Sequence, residues 1–223
     1  MDARHEWKHE ITYGDLLTLR SRLRAVCQVD PHAENGVYTI RSLYFDTPSD
    51  KALREKNDGV SRREKFRIRC YNGDTGFIRL EKKSKFGGLG TKDSAPMTAE
   101  EVQKLLDGDL AWMIESPYPL LQELYSKMRW QGLAPKTLVD YTREPFIYGP
   151  GNVRVTLDYH IRTGLFCTDF LNPDCPTIPA GDSPILLEVK WDEYLPSIIR
   201  DAVQLPGRRS TAFSKYAACR IYG

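Results

Sequence analysis

The stretch from Arg62 to Lys85 limits what this chain can fold into more than any other. Arg63, Lys65, Arg67 and Arg69 stand at odd positions and Phe66, Ile68 and Cys70 at even ones, the period of a strand with one apolar and one cationic face. Asn72-Gly73 and Gly76 supply turn chemistry, after which Arg79, Glu81, Lys83 and Lys85 alternate with Ile78 and Leu80, so the spacing predicts a hairpin. Same-face neighbours on a strand lie roughly 6.6 Å apart, where two like charges repel by about 2–3 kcal/mol at an effective dielectric near 20. Water is one outlet, with side chains splayed over a solvated sheet; a polyanion is the other. Between Arg62 and Lys92 ten Lys/Arg meet three Asp/Glu, against 32 and 30 in the whole chain, so positive charge is concentrated here.

Other segments alternate in the same way. Arg4, Glu6, Lys8 and Glu10 share one side of a first strand, and Val37 to Asp46 is rich in β-formers. Strands are predicted again over Thr137 to Glu144, Val153 to Ile161 and Ile185 to Asp192, each with one charged face. Arg and Lys at mid-strand positions fit a polar barrel interior better than a half-exposed sheet. Helices are predicted from Thr12, which caps with Asp15, to Gln28; from Ser49 to Lys56; from Thr98, which caps with Glu101, to Gly108; and from Pro119 to Gln131, closed by Gly132. Tyr194 to Val203 and Ala212 to Arg220 read as closing helices, and Phe170 to Asp182 as a loop. Phe86 to Lys92 reads as a glycine-rich loop matching neither phosphate-binding fingerprint.

With 223 residues and no linker-like interruption, a single domain spanning 1–223 is expected. The five cysteines form no CxxC pair and read as free thiols of a reducing compartment. With no apolar run long enough for a membrane span and no apolar signal at the first residues, they point to a cytoplasmic protein. A net charge of +2 argues against a general nucleic-acid binder. HExxH, GxSxG and the Walker lysine motif are absent, and His5, His9, His32 and His160 lack metal-ligand spacing with the cysteines. What remains is a glutamate two residues from a lysine on three strands: Glu6/Lys8, Glu81/Lys83 and Glu188/Lys190. These are either same-face ion pairs, or lysines that grip phosphate beside carboxylates that hold Mg²⁺ or Mn²⁺; repetition on three strands favours the second.

Eight short motifs in order carry a resemblance from about Arg4 to Ala218. They are Arg4-x-Glu6-x-Lys8, Ser42-Leu-Tyr-Phe-Asp-Thr47, Lys65-Phe-Arg-Ile-Arg-Cys-Tyr71, Glu81-x-Lys83, Tyr141-x-Arg143, Arg154-Val-Thr-Leu-Asp158, Leu187-Glu-Val-Lys190 and Phe213-Ser-Lys-Tyr216. Together they resemble the VTC domain, the polyphosphate polymerase domain of the vacuolar transporter chaperone, within the triphosphate tunnel metalloenzyme (CYTH-like) superfamily.

The resemblance implies an α+β fold: an antiparallel β-tunnel, closed or nearly closed, with helices packed outside. It implies transfer of the ATP γ-phosphate to a growing polyphosphate chain, with Lys8, Arg67, Arg69, Lys83, Arg143, Arg154 and Lys215 in catalytic positions. Lys65, Lys85, Lys92, Tyr141, Lys190 and Ser214 would bind substrate, and Glu188, with Glu81 and Glu6, would hold Mn²⁺ or Mg²⁺. Ser94 stands where an arginine follows the lysine equivalent to Lys92, and Arg4 replaces the first glutamate common in hydrolases and cyclases, which leans toward the polymerase branch. The alternatives are a tripolyphosphate or nucleoside triphosphate hydrolase of the same fold and a non-catalytic module that binds polyphosphate or an inositol phosphate.

Overall fold

The structure, a computed structural model, describes residues 4–87, 89–207 and 210–221. Among these, the alternating segments pair into one ten-stranded antiparallel sheet. Its strands are β1 (His5–Ile11), β2 (Gln28–Val29), β3 (Tyr38–Asp46), β4 (Arg63–Tyr71), β5 (Ile78–Phe86), β6 (Leu89–Met97), β7 (Ala134–Tyr148), β8 (Val153–Thr163), β9 (Ile178–Pro179) and β10 (Ile185–Trp191). The order is β1-β10-β8-β7-β3-β4-β5-β6, with β2 on β7 and β9 on β8. The sheet curls 200° round an axis and leaves its edges 9 Å apart. Paired strands lie about 4.8 Å apart, so β1 and β6 share no ladder and the barrel is a half-barrel.

The curl gives the two faces different chemistry. On the convex face Leu43, Phe66, Ile68 and Leu80 pack under α3 (Ala99–Leu106) and α4 (Pro119–Gln131). Val155, Leu157, Leu187 and Val189 pack under α1 (Tyr13–Val26) and α5 (Ser197–Val203). Each such side chain fully buried contributes about 1.5–3 kcal/mol, enough to fix which face turns outward. The charged face is the concave one: Glu6 on β1 reaches Lys83 on β5 at 3.7 Å although five strands separate them in the sheet. Not every helix lies outside. α6 (Lys215–Ala218) packs on the concave face, where Tyr216 joins Tyr38, Ile40, Tyr44, Val139 and Tyr141, and Leu53 of α2 (Lys51–Asn57) packs against the same cluster.

Local chemistry explains most boundaries. Thr12 and Asp15 form a reciprocal capping box at α1, as do Thr98 and Glu101 at α3, and Gly132 ends α4 with φ +65°. Residues 86–92 differ from expectation. Phe86 pairs with Leu89 and Lys83 with Lys92, so the segment is the turn and start of a second hairpin; Gly88 lies outside the described residues. α5 begins at Ser197 and not at Tyr194, since Pro196 stands outside the helix at ψ +141° and a proline disfavours a helical residue before it. The expectation of five free thiols is corrected as well: Cys167 and Cys175 form a disulfide across the loop after β8, a pairing their spacing did not reveal, and Cys27, Cys70 and Cys219 are free. Among the described residues no helix is long and apolar enough to cross a membrane.

Candidate functional site

Strand register decides which side chains meet. Arg67 lies opposite Tyr44 on one side and Glu81 on the other, Arg69 opposite Ser42, and Lys65 opposite Lys83. Arg143 faces Asp158, Glu188 lies between Lys8 and Thr156, and Lys190 lies between Glu6 and Arg154. With a side-chain period of two, all of these project from the concave face.

They form one continuous network. Glu81, 4% exposed, bonds Arg67 at 2.6 Å and Lys92 at 2.5 Å, with Arg69 at 3.7 Å. Arg69 donates to Ser42 Oγ and, at 3.0 Å, to the Tyr141 hydroxyl, while Lys215 stands 4.7 Å over the Tyr141 ring. Lys215 then reaches Asp158 at 2.6 Å, and Arg143 grips Asp158 through two bonds of 2.7 Å. Arg143 lies 3.6 Å from Glu188, which contacts Lys8 at 3.1 Å and Lys190 at 3.4 Å. Glu6 extends the network, at 3.1 Å from Lys8, 3.5 Å from Lys190 and 3.7 Å from Lys83. Eight cations (Lys8, Arg67, Arg69, Lys83, Lys92, Arg143, Lys190 and Lys215) thus share four carboxylates, and Lys65 stands beside them over the Tyr44 ring.

The electrostatics follow from burial set against this excess. Burial works against charge at Glu81, yet Arg67, Arg69 and Lys92 hold its carboxyl well below the usual range. Asp158, fully buried, is pulled to about 2 because Arg143 and Lys215 outweigh desolvation. At Glu188 desolvation is overridden by Lys190, by the bond with Glu6, and by Lys8 and Arg143. Cations without enough acid go the other way: burial and neighbouring cations bring Lys65 to about 8, Lys190 falls to about 8 chiefly through burial, and Lys83 shifts down. Tyr44 resists burial because Arg67, Lys65 and Arg69 surround it, and its phenol falls to about 7. Such a surface is built to receive anionic oxygen.

Most of the residues singled out in the sequence enter this network, and the exceptions are informative. Arg154 shares the face but pairs with Asp30 at 3.2 Å, at its margin. The Ser214 hydroxyl accepts the Ala217 N–H as the cap of α6. Lys85 lies opposite Arg63 near the end of the hairpin, without a carboxylate partner among the described residues. The three expected metal carboxylates divide: Glu6 and Glu188 converge, whereas Glu81 belongs to the separate Arg67–Arg69–Lys92 group. No group of three or more His, Cys, Asp or Glu gathers as a metal site among the described residues. Sequence reasoning gave no role to Asp158, although it alternates in phase with Arg154, nor to Tyr44, nor to Tyr216, which stacks on Tyr44 at 5.0 Å and donates to Asp46 at 2.7 Å.

Comparison with known proteins agrees with this architecture. Among solved structures the chain resembles a candidate adenylate cyclase from Bacillus halodurans, with 15% identity, TM-score 0.51, and 85% of this chain and 80% of that one covered. A Pyrococcus horikoshii protein aligns at 14% identity and TM-score 0.46 over 90% of this chain and 84% of its own. A candidate adenylate cyclase from Vibrio parahaemolyticus aligns at 12% and 0.46 over 90% and 82%. At such identities the first likeness speaks for the fold alone. No curated protein sequence matches significantly. The VTC domain profile matches residues 3–221, nearly the entire chain. A curled sheet with a cationic concave face and a full-length profile match lead to one conclusion: this chain belongs to the VTC domain family, within the triphosphate tunnel metalloenzyme superfamily.

Proposed function

We propose that the protein is a polyphosphate polymerase that transfers the γ-phosphoryl group of ATP to the end of a polyphosphate chain lying along the concave face. The observation that carries this reading is the network of eight cations on four carboxylates, whose surplus of positive charge lies on one curved surface. Phosphoryl transfer needs alignment and charge neutralisation more than a protein nucleophile. The terminal phosphate oxygen of the chain attacks the γ-phosphorus, the bond to the β,γ-bridging oxygen breaks, and ADP leaves. Arg67, Arg69, Arg143 and Lys215 hold phosphoryl oxygens in line, with Lys8 and Lys83 beside them.

Glu6 and Glu188 converge on the Lys8 ammonium, at 3.1 Å each, and form a pair of hard oxygen donors. That donor set fits Mn²⁺ or Mg²⁺, which bind through one or two carboxylates with substrate phosphates completing the shell. When bound, such an ion supplies further neutralisation of the transferred phosphoryl group. The cations work by binding and orientation whether or not it is present.

The test incubates purified protein with ATP and Mn²⁺ or Mg²⁺ and quantifies ADP, free phosphate and chain length. ADP accumulating with lengthening chains is expected; ADP with stoichiometric free phosphate would make it a hydrolase. Glu188→Gln should retain polyphosphate binding while transfer falls about a hundred- to a thousandfold. Full activity with unchanged metal dependence in that variant would leave Glu188 only an ion-pair partner of Lys190.

A further inference from the structure

Two groups of cations are distinguished on and beside the concave face. Lys8, Arg67, Arg69, Lys83, Lys92, Arg143, Lys190 and Lys215 are each paired with a carboxylate on the concave face. A second group, Lys56, Arg63, Lys65 and Lys85, has no carboxylate partner among the described residues. Arg63 donates to the Val60 carbonyl, at 2.5 Å, and Lys65 stands 5.7 Å over the Tyr44 ring. Arg63 and Lys85 are directly opposed on β4 and β5, and Lys65 follows Arg63 on the same face.

Lys56 comes from outside the sheet, and the fold fixes where it points. Buried Asp46 at the end of β3 accepts the Ala52 and Leu53 N–H groups at 2.8 and 3.1 Å, which ties α2 down over that end. Leu53 packs into the concave-face cluster, and Lys56, three residues later, lies on the same side of the helix. The helix therefore aims Lys56 toward the strand ends carrying Arg63 and Lys85. In keeping with that position, burial and the charges of Arg63, Lys8 and Lys85 lower its pKa.

We propose that Lys56, Arg63, Lys65 and Lys85 form a rim subsite that binds the part of a linear polyphosphate extending beyond the paired network, so that the protein discriminates long chains from triphosphates. The proposal rests on the polyphosphate reading above and extends it to chain length. An anion entering the paired network has to displace carboxylates from their lysines and arginines, whereas one reaching the rim relieves repulsion directly. A nucleic acid fits this subsite less well, because the nearby exposed aromatic, Phe86, lies on the opposite face of β5 from Lys85.

The test measures binding of tripolyphosphate, long-chain inorganic polyphosphate and a single-stranded oligonucleotide to the full chain and to Lys56→Gln, Lys56→Glu and Arg63→Gln, with thermal melting to confirm folding. Each neutral substitution should weaken long-chain binding about fivefold, and Lys56→Glu more, while tripolyphosphate affinity stays within twofold. The salt dependence should flatten for the long chain alone. Equal loss for both phosphates, no loss for either, or an oligonucleotide bound as tightly and lost in the same variants would overturn the rim assignment while leaving the polymerase reading intact. If the unsubstituted protein binds neither phosphate, both fall together.

Discussion

Glu81 offers the sharpest test of how the concave face is balanced. It is the sole carboxylate recorded between Arg67, Arg69 and Lys92 among the described residues, and it is almost fully buried. Glu81→Gln keeps the shape and removes the charge, leaving three cations with no local anion. Removing one partner of a buried pair costs about 3–5 kcal/mol. Lys92 is half exposed, which moves the expectation to the lower end, about 3 kcal/mol. For a domain of this size 1 kcal/mol moves the melting temperature by roughly 2–4 °C, so Glu81→Gln should melt about 6–12 °C lower. The informative measurement is the same melt with tripolyphosphate. Its anionic oxygens replace the missing carboxylate, so saturating ligand should raise the variant more than the unsubstituted protein and narrow the gap. A variant that melts normally, or one that gains less from tripolyphosphate, would refute the idea that Glu81 stands in for substrate when none is bound.

Further outcomes follow from the same structure. Tyr44 and Lys65 both lose protons at lower pH in the folded chain, at about 7 and about 8, than in the unfolded chain, where both titrate above about 10. At these two sites the unfolded state therefore binds more protons across this window, so their contribution to stability grows from pH 7 toward pH 10; urea midpoints of Tyr44→Phe should gain less, or lose more, over that range than those of the unsubstituted protein. Gly151, at φ +72°, would place a Cβ 2.4 Å from the Tyr194 carbonyl oxygen, so Gly151→Ala should destabilise by more than about 1 kcal/mol in denaturant titration while tripolyphosphate affinity is unchanged.

The strands and their inward faces were legible because period-2 alternation is local: Lys65 to Tyr71 shows its register without help from elsewhere in the chain. The capping boxes at Thr12 and Thr98 were legible for the same reason, since donor and acceptor lie three residues apart. β6 was hidden because Gly90 and Pro96 carry little β-propensity, and pairing with β5 overrides them. Lys56 could not be placed from the sequence, since its role depends on Asp46 docking a seven-residue helix over strand ends. The partition of the glutamates into a convergent pair and a solitary member depends on strand order, which alternation does not encode.

The gap between β1 and β6 changes the topology of loading. A ring must be threaded from a free end; a hook can be laid over a filament at any point along it. On that side Glu6 of the edge strand β1 meets Lys83 of β5, one strand in from the other edge, in a long ion pair of 3.7 Å. Opening it breaks no backbone hydrogen bond, so this side of the sheet is held by side chains alone and not by a ladder.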